Sequence, residues 1–424
     1  MAIYLTNGTY IDPVTLEFKK ASVIVHPGAS GKLELVQNPV FGEKDEVIDC
    51  SGKLITKSFA CGHHHVYSAL ARGMGAPAKS PQNFYEILQY VWWTLDKCLD
   101  KASIEASALA TAVACAKNGV TFAIDHHASP YAVRGSLETI ALAFEKVGVS
   151  HLLCYEISDR DGEKIAMQGL EETESYMKTR QGLVGLHASF TVSDNTLRKA
   201  VELSGKCNSG IHIHVAEDKY DQECCVKYYK KRVVQRLTDE GVLASPKTIL
   251  GHCLHLNEKE KSLINSSPAW VVQNTESNLN NNVGYFNSRG LGENIMLGTD
   301  GMHSDMLRSA KAAFFTGQGF DTIDYPGIYE RFRKVHDYIN SNNFSGDGEN
   351  NLVVLDYDTP TEINSSNFYG HFLFGIESKH VQYVISKGET IVKDRKMTRV
   401  NEADVLDFAR EEASKLWERM KNVK

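Results

Sequence analysis

The chain has 424 residues, 42% of them hydrophobic, and a formal net charge of -7 with both signs interspersed. That length is enough to bury one large core and a smaller one beside it. An acidic balance without a basic stripe argues against a nucleic-acid partner, and no apolar run reaches the roughly 20 residues that cross a membrane.

The first five residues, Met1-Ala2-Ile3-Tyr4-Leu5, lack the basic flank and apolar core of a signal peptide. Nine scattered cysteines, odd in number and without CxxC spacing, suit a reducing cytoplasm.

Residues 3–57 alternate short strand-like runs (3–5, 21–25, 32–36, 46–49) with turns such as Asn7-Gly8 and Ser51-Gly52, which predicts a small β-module. From Leu54 strand-like and helix-like segments alternate. The run Leu54-Ile55-Thr56-Lys57-Ser58-Phe59-Ala60 leads into Cys61-Gly62-His63-His64-His65. In a strand, residues two apart share a face, so His63 and His65 project together and His64 away from them. A helical region over 83–99 follows, then an Ala-rich helix over 102–117 that Asn118-Gly119 closes. Further strands are predicted at 120–125, 151–157, 183–188, 210–215, 248–252, 269–274 and 294–300. Helices lie between them, one of them opened by Ser193-Asp194.

Counted from Leu54, this makes eight strands. Alternation of this kind calls for a parallel sheet, and eight units predict a closed (β/α)8 barrel of the TIM type, with a doubly wound open sheet as the alternative. The barrel is favoured because histidines and acids fall at the C-terminal ends of several separate strands. Those ends share one mouth in a barrel and spread along an edge in an open sheet. Beyond residue 309, strand-like runs return near 352–356, 383–385 and 391–392, and an amphipathic helix spans 402–420. Residues 1–57 and 350–424 are therefore expected to form a composite small β-sandwich domain beside a barrel of residues 58–349.

The strand ends carry His63 and His65, Asp125-His126-His127, His187, His212-x-His214-x-x-Glu217, His252-x-x-His255 and Thr299-Asp300-Gly301. Hydrolytic zinc or iron takes three or four N/O ligands and keeps one position open for water. Taken singly, each of these residues has a structural reading: a packed histidine, an Asp-Gly turn, a helix cap. Together, at these strand ends, they point to a metal centre.

The series Gly62-His63-His64-His65, Leu70-Ala71-Arg72-Gly73, His187, His214-x-x-Glu217, His252-x-x-His255 and Leu297-Gly298-Thr299-Asp300-Gly301 resembles the amidohydrolase superfamily, in its chlorohydrolase and nucleobase-deaminase branch. The strings Ile124-Asp125-His126-His127-Ala128-Ser129-Pro130, Ile211-His212-Ile213-His214-Val215-Ala216-Glu217-Asp218 and Ser277-Asn278-Leu279-Asn280-Asn281-Asn282 resemble one subgroup, the selenium-metabolism-associated aminohydrolases of the SsnA type.

The resemblance implies that His63, His65, His214 and Asp300 bind one divalent metal ion per chain, zinc first and iron second. Asp300 would take a proton from the attacking water, His252 would stabilise the charge that develops, and Glu217 would protonate the departing nitrogen. No lysine closes the fourth strand, where two-metal relatives carry one, and His187 there becomes a substrate contact. Further substrate contacts are expected at Arg72, His126, Asn274 and Trp92, the last in a roof with Trp93 and Tyr85. Packing or loop bracing is the alternative for each. The reaction implied is hydrolytic deamination of a purine- or pyrimidine-like heterocycle in a cytoplasmic homodimer. Opening of a cyclic amide is the alternative, and a catalytically silent binding protein a third reading. Two departures stand out: Gln273-Asn274 replaces the family's more usual His-Asn, and the segment before residue 352 is shortened.

Overall fold

The computed structural model describes residues 2–423. Eight strands follow one another as direct neighbours in a single parallel sheet: β1 (Phe59–His64), β2 (Val120–His127), β3 (Ser150–Ile157), β4 (Val184–Ala188), β5 (Ile211–Val215), β6 (Ile249–His252), β7 (Trp270–Gln273) and β8 (Ile295–Leu297). They are buried on both faces, as parallel strands wrapped in helices must be. The sheet closes on itself just past β8. There the Thr299 and Asp300 N–H groups donate to the His63 carbonyl at 3.0 and 3.1 Å, and His64 bridges to Asp300. This is the (β/α)8 barrel that the alternation predicts, and its seam joins two of the site-bearing strand ends.

Local chemistry sets where the crossovers begin and stop. Helix Lys101–Lys117 opens with a reciprocal cap between Asp100 and Ser103 and ends at Asn118. Gly119 then turns at φ +80°, where a Cβ would lie 2.9 Å from Phe59 and Val353 side chains, so only glycine fits. Ser193 caps helix Asp194–Lys206 by accepting from the Thr196 N–H.

Two expectations are corrected. The run from Leu54 into the histidines is not one strand: Leu54–Lys57 pairs with Leu352–Leu355 and Thr9–Ile11 in a different sheet, and the chain passes Ser58 before entering β1. At the break Arg333 donates to the Lys57 and Ser58 carbonyls at 3.1 and 2.9 Å. The helix expected over 83–99 is in fact α over Phe84–Ile87, π over Leu88–Trp92 and α again over Trp93–Lys97. The Thr94 hydroxyl reaches back five residues to the Gln89 carbonyl at 3.1 Å, a reach that suits the wider turn.

Strands from both chain ends build a seven-stranded and a four-stranded sheet beside the barrel. Ile3, Leu5, Val23, Ile55, Val354 and Ile385 are among the side chains that share their core. The last helix, Glu402–Met420, packs on the barrel instead: Trp417 donates to the Leu70 carbonyl at 2.8 Å and Arg419 to the Cys98 carbonyl at 2.8 Å. No helix among the described residues is long and apolar enough to cross a membrane.

Under the barrel, at the junction with the sheets, Asp347 has no exposed side-chain surface and holds Lys57 Nζ at 2.7 Å and His336 Nδ1 at 2.6 Å. Burial works against its charge, yet His336 and Lys57 prevail and hold Asp347 at about 2, below its ordinary 3.8. Burial lowers both cationic partners, so the trio depends on the carboxylate. Replacing Asp347 by alanine leaves two buried bases facing each other and is expected to cost about 3–5 kcal/mol in urea unfolding at pH 7. A carboxylate with a depressed folded pKa stabilises above the unfolded value. The difference between wild type and variant should therefore shrink as pH falls from about 4 towards 2.

Candidate metal and catalytic site

The C-terminal mouth of the barrel gathers the strand-end residues. His63 sits in β1 and His65 just after it, His214 is in β5, and Asp300 follows β8. Their relative exposures run from 0% to 7%. Asp300 Oδ1 lies 3.0 Å from His65 Nε2 and 3.4 Å from His63 Nε2. His214 Nε2 lies 3.2 Å from His65 Nε2 and 3.3 Å from His63 Nε2.

The other ring nitrogens decide what these short distances mean. His65 Nδ1 donates to the His126 carbonyl at 2.6 Å and His214 Nδ1 to the His187 carbonyl at 2.9 Å. A carbonyl can only accept, so the hydrogen of each neutral ring is on Nδ1 and the lone pair on Nε2. His63 Nδ1 meets His212 Nε2 at 2.9 Å, which aims its Nε2 at the same centre. Three lone pairs and a carboxylate oxygen thus converge, an arrangement that repels itself unless positive charge sits among them. The donor set of three imidazoles and one carboxylate suits a divalent ion such as zinc or iron. Burial would lower His65, but the Asp300 hydrogen bond and charge raise it to about 9, whereas burial holds His63 down at about 3.

Backbone geometry aims the neighbouring groups. Ala216, His252, Cys253 and Asp300 all have left-handed φ, between +47° and +67°, at the ends of β5, β6 and β8. Such conformations cost energy in residues other than glycine and mark places where the fold holds side chains in position. The turn at Ala216 is tied down by Asp221, whose carboxylate accepts the Ala216 N–H at 2.9 Å and the Phe190 N–H at 3.1 Å. Glu217, next in the chain, lies with Oε2 3.5 Å from His252 Nε2. Burial pushes Glu217 up from 4.5 to about 7. His252 gives Nδ1 to the Asn278 amide oxygen at 2.7 Å, leaving Nε2 without a partner, 3.8 Å from Asp300 Oδ2. A proton donor, a ring nitrogen and a carboxylate therefore surround one reacting position.

The cavity over these groups is walled by Tyr67, Phe84, Leu88, Trp92 and Trp93, with His187 and Glu156 on the side of β3 and β4. Trp92 and His187, expected as substrate contacts, are both on this wall. The three other expected contacts, His126, Arg72 and Asn274, are not. The His126 ring is fully buried behind the ligands, where Nε2 reaches the Leu186 and His212 carbonyls at 3.2 and 3.1 Å and Nδ1 faces Glu156 Oε2 at 3.1 Å. It braces four strand ends. Arg72 is exposed and lines a different cleft, under the helix Glu402–Met420. Asn274 lies buried behind the ligands against Gly298, where a Cβ would come within 2.4 Å of its amide oxygen.

Glu156 and Asp96 line the cavity without being singled out by the sequence reading. Glu156 had a readable signal, since it stands near the end of β3 as Asp125 does near the end of β2. Burial opposes its charge, but His187 and His126 hold it well below the usual carboxylate range. Asp96 gives no such signal, because an acid in a roof helix looks like solvent-facing charge.

Comparison with known proteins agrees with this geometry. Residues 54–325 match the model of the Amidohydrolase family. Over 420 residues the chain is 26% identical to a 5-methylthioadenosine/S-adenosylhomocysteine deaminase of Aquifex aeolicus, covering 93% of this chain and 94% of that protein. Its fold is similar to that of a zinc-bound adenosine deaminase from Xanthomonas campestris, at TM-score 0.83 and 16% identity over 99% of each chain. The guanine deaminase of E. coli gives TM-score 0.75 at 16% identity, covering 92% of this chain and 98% of that one.

Proposed function

This chain belongs to the amidohydrolase family, and from that premise we propose that it is a metal-dependent hydrolase that deaminates a purine-like heterocycle. One observation carries the reading: Glu217, with its pKa raised to about 7, stands beside His252 at the edge of a ligand set whose lone pairs demand a cation. That is what loss of ammonia needs, an acid holding its proton near neutral pH next to a site that activates water. The names of the relatives point the same way, and the SsnA-type strings support placement in that aminohydrolase subgroup.

His63, His65, His214 and Asp300 would hold one divalent ion, zinc by preference. When bound, it supplies the positive charge that acidifies a water and polarises the carbon–nitrogen group. Asp300 keeps one carboxylate oxygen on the His252 side, 3.8 Å from Nε2, and can receive the proton that the water gives up. The water oxygen bonds to the ring carbon and the carbon–amine bond breaks. Glu217 delivers its proton to the departing nitrogen, so ammonia leaves. His252, fixed by Asn278, would orient the attacking water oxygen through its free Nε2. Trp92 and Trp93 offer flat surface to a planar ring, and the aromatic roof keeps bulk water out. A homodimer completes the proposal, read by light scattering on the eluting protein.

The test is ammonia release by the zinc-loaded protein over adenine nucleosides, guanine, pterins and aminopyrimidines. Ammonia from one ring class, with the matching change in ring absorbance, is expected. Loss of the ring chromophore without ammonia would replace deamination by opening of a cyclic amide.

A further inference from the structure

The same cavity has a second polar corner away from the ligand set, formed by Asp96 in the roof, Glu156 in β3 and His187 in β4. All three are more than nine-tenths buried. Their hydrogen bonds leave acceptors turned inward. Thr191 Oγ1 gives its hydrogen to the Ala188 carbonyl at 3.1 Å, so it accepts from His187 Nδ1 at 2.7 Å. His187 Nε2 is then a bare lone pair. Glu156 spends Oε2 on His126, while Oε1 takes no hydrogen bond among the described residues and has His187 Nε2 4.0 Å away. Asp96 spends Oδ2 on Arg160, and its buried Oδ1 has no partner. Against these three acceptors stand two donors without a partner on the same wall, the indole N–H of Trp93 and the hydroxyl of Tyr67.

Charge runs the same way. Asp96, Glu156, Glu217 and Asp300 line the cavity, and no lysine or arginine does so among the described residues. Buried acceptors without donors are costly; Arg160 and His126 meet the outer oxygens of Asp96 and Glu156 from behind, and the oxygens left over are Asp96 Oδ1 and Glu156 Oε1. We propose that this corner binds a positively charged nitrogen group of the substrate, an ammonium, amidinium or guanidinium. Such a group brings two or more N–H donors to Glu156 Oε1, Asp96 Oδ1 and His187 Nε2 at once, and charge-assisted bonds of this kind are the stronger ones. The inference rests on the deaminase reading and adds a substrate class to it: amino-bearing rings with a cationic arm, and not nucleotides or carboxylated rings.

Calorimetric titration of the zinc-loaded protein with three adenines tests it, carrying 2-aminoethyl, 2-hydroxyethyl or carboxymethyl at N9. The aminoethyl compound is expected to bind about tenfold more tightly than the hydroxyethyl one, and the carboxymethyl compound more weakly than both. In Glu156→Gln the aminoethyl-to-hydroxyethyl ratio should fall towards one. Asp96→Asn gives a second reading of the same ratio should the first variant fold poorly. Equal affinities for the amino and hydroxy compounds, tighter binding of the carboxylate, or no binding of the amine at millimolar concentration would overturn the proposal. Ammonia is followed in the same samples. The binding preference without ammonia keeps the corner and removes the deaminase reading, while ammonia without the preference does the reverse.

Discussion

Replacing His214 by alanine is expected to abolish both tight zinc binding and activity, the largest effect of any single change in this chain. His214 Nε2 is 3.2 Å from His65 Nε2 and 3.3 Å from His63 Nε2, so its loss opens the ligand set on the side facing the cavity. Its Nδ1–H bond to the His187 carbonyl fixes the ring so that the lone pair faces inward. Plasma mass spectrometry after dialysis should find about one zinc per wild-type chain and far less in the variant, while circular dichroism stays unchanged. Full metal content in the variant would show that the ion sits elsewhere. His126→Ala provides the contrast. That ring lies behind the site and touches backbone carbonyls and Glu156, so its loss should lower thermal stability first and metal content only as the strand ends loosen.

The second large effect is expected at Glu217. Glu217→Gln keeps shape and packing but removes the proton that the departing nitrogen needs. Loss of a positioned acid lowers kcat by roughly 10²–10⁴, with KM changed much less, because the glutamine amide still fills the same edge of the cavity. Stability should move the other way. Burial raises the folded pKa of Glu217 to about 7 from 4.5. A carboxyl shifted upward costs the fold nothing while protonated and destabilises it as pH rises from 4.5 through 7. Metal-free Glu217→Gln should therefore melt higher than metal-free wild type at pH 8 and at nearly the same temperature at pH 4. A variant that keeps full kcat would remove Glu217 from the reaction.

Much of the architecture was legible because local chemistry writes it. Apolar strands, most of them with acid or histidine near their C-terminal ends, alternating with helices, need no distant information to be recognised. Asp100, Asn118-Gly119 and Ser193 mark helix boundaries by chemistry confined to three or four residues. The ligand histidines are legible for a related reason, since period-two geometry puts His63 and His65 on one face wherever the strand goes.

Roles decided across the barrel were not legible. His126, His187 and Glu156 stand near strand ends alike. Only the closed sheet shows that His126 is enclosed by carbonyls of β4 and β5 while His187 and Glu156 open to the cavity. Arg72 is seven residues from His65 in sequence, yet it faces another cleft, because the chain leaves the barrel mouth through the short helix Val66–Ala71. Asp96 becomes a cavity wall only through Arg160, sixty-four residues later.

By itself, then, the sequence determined the alternation, the eight strands and the histidines and acids that stand at their ends, all of which depend on residue type and on spacing within one segment. The tertiary structure alone decided where the first run divides at Ser58, which ring nitrogens face the centre, and which polar groups are left without partners. Those outcomes depend on carbonyls and charges brought from distant segments as the sheet closes, and no local pattern carries that information.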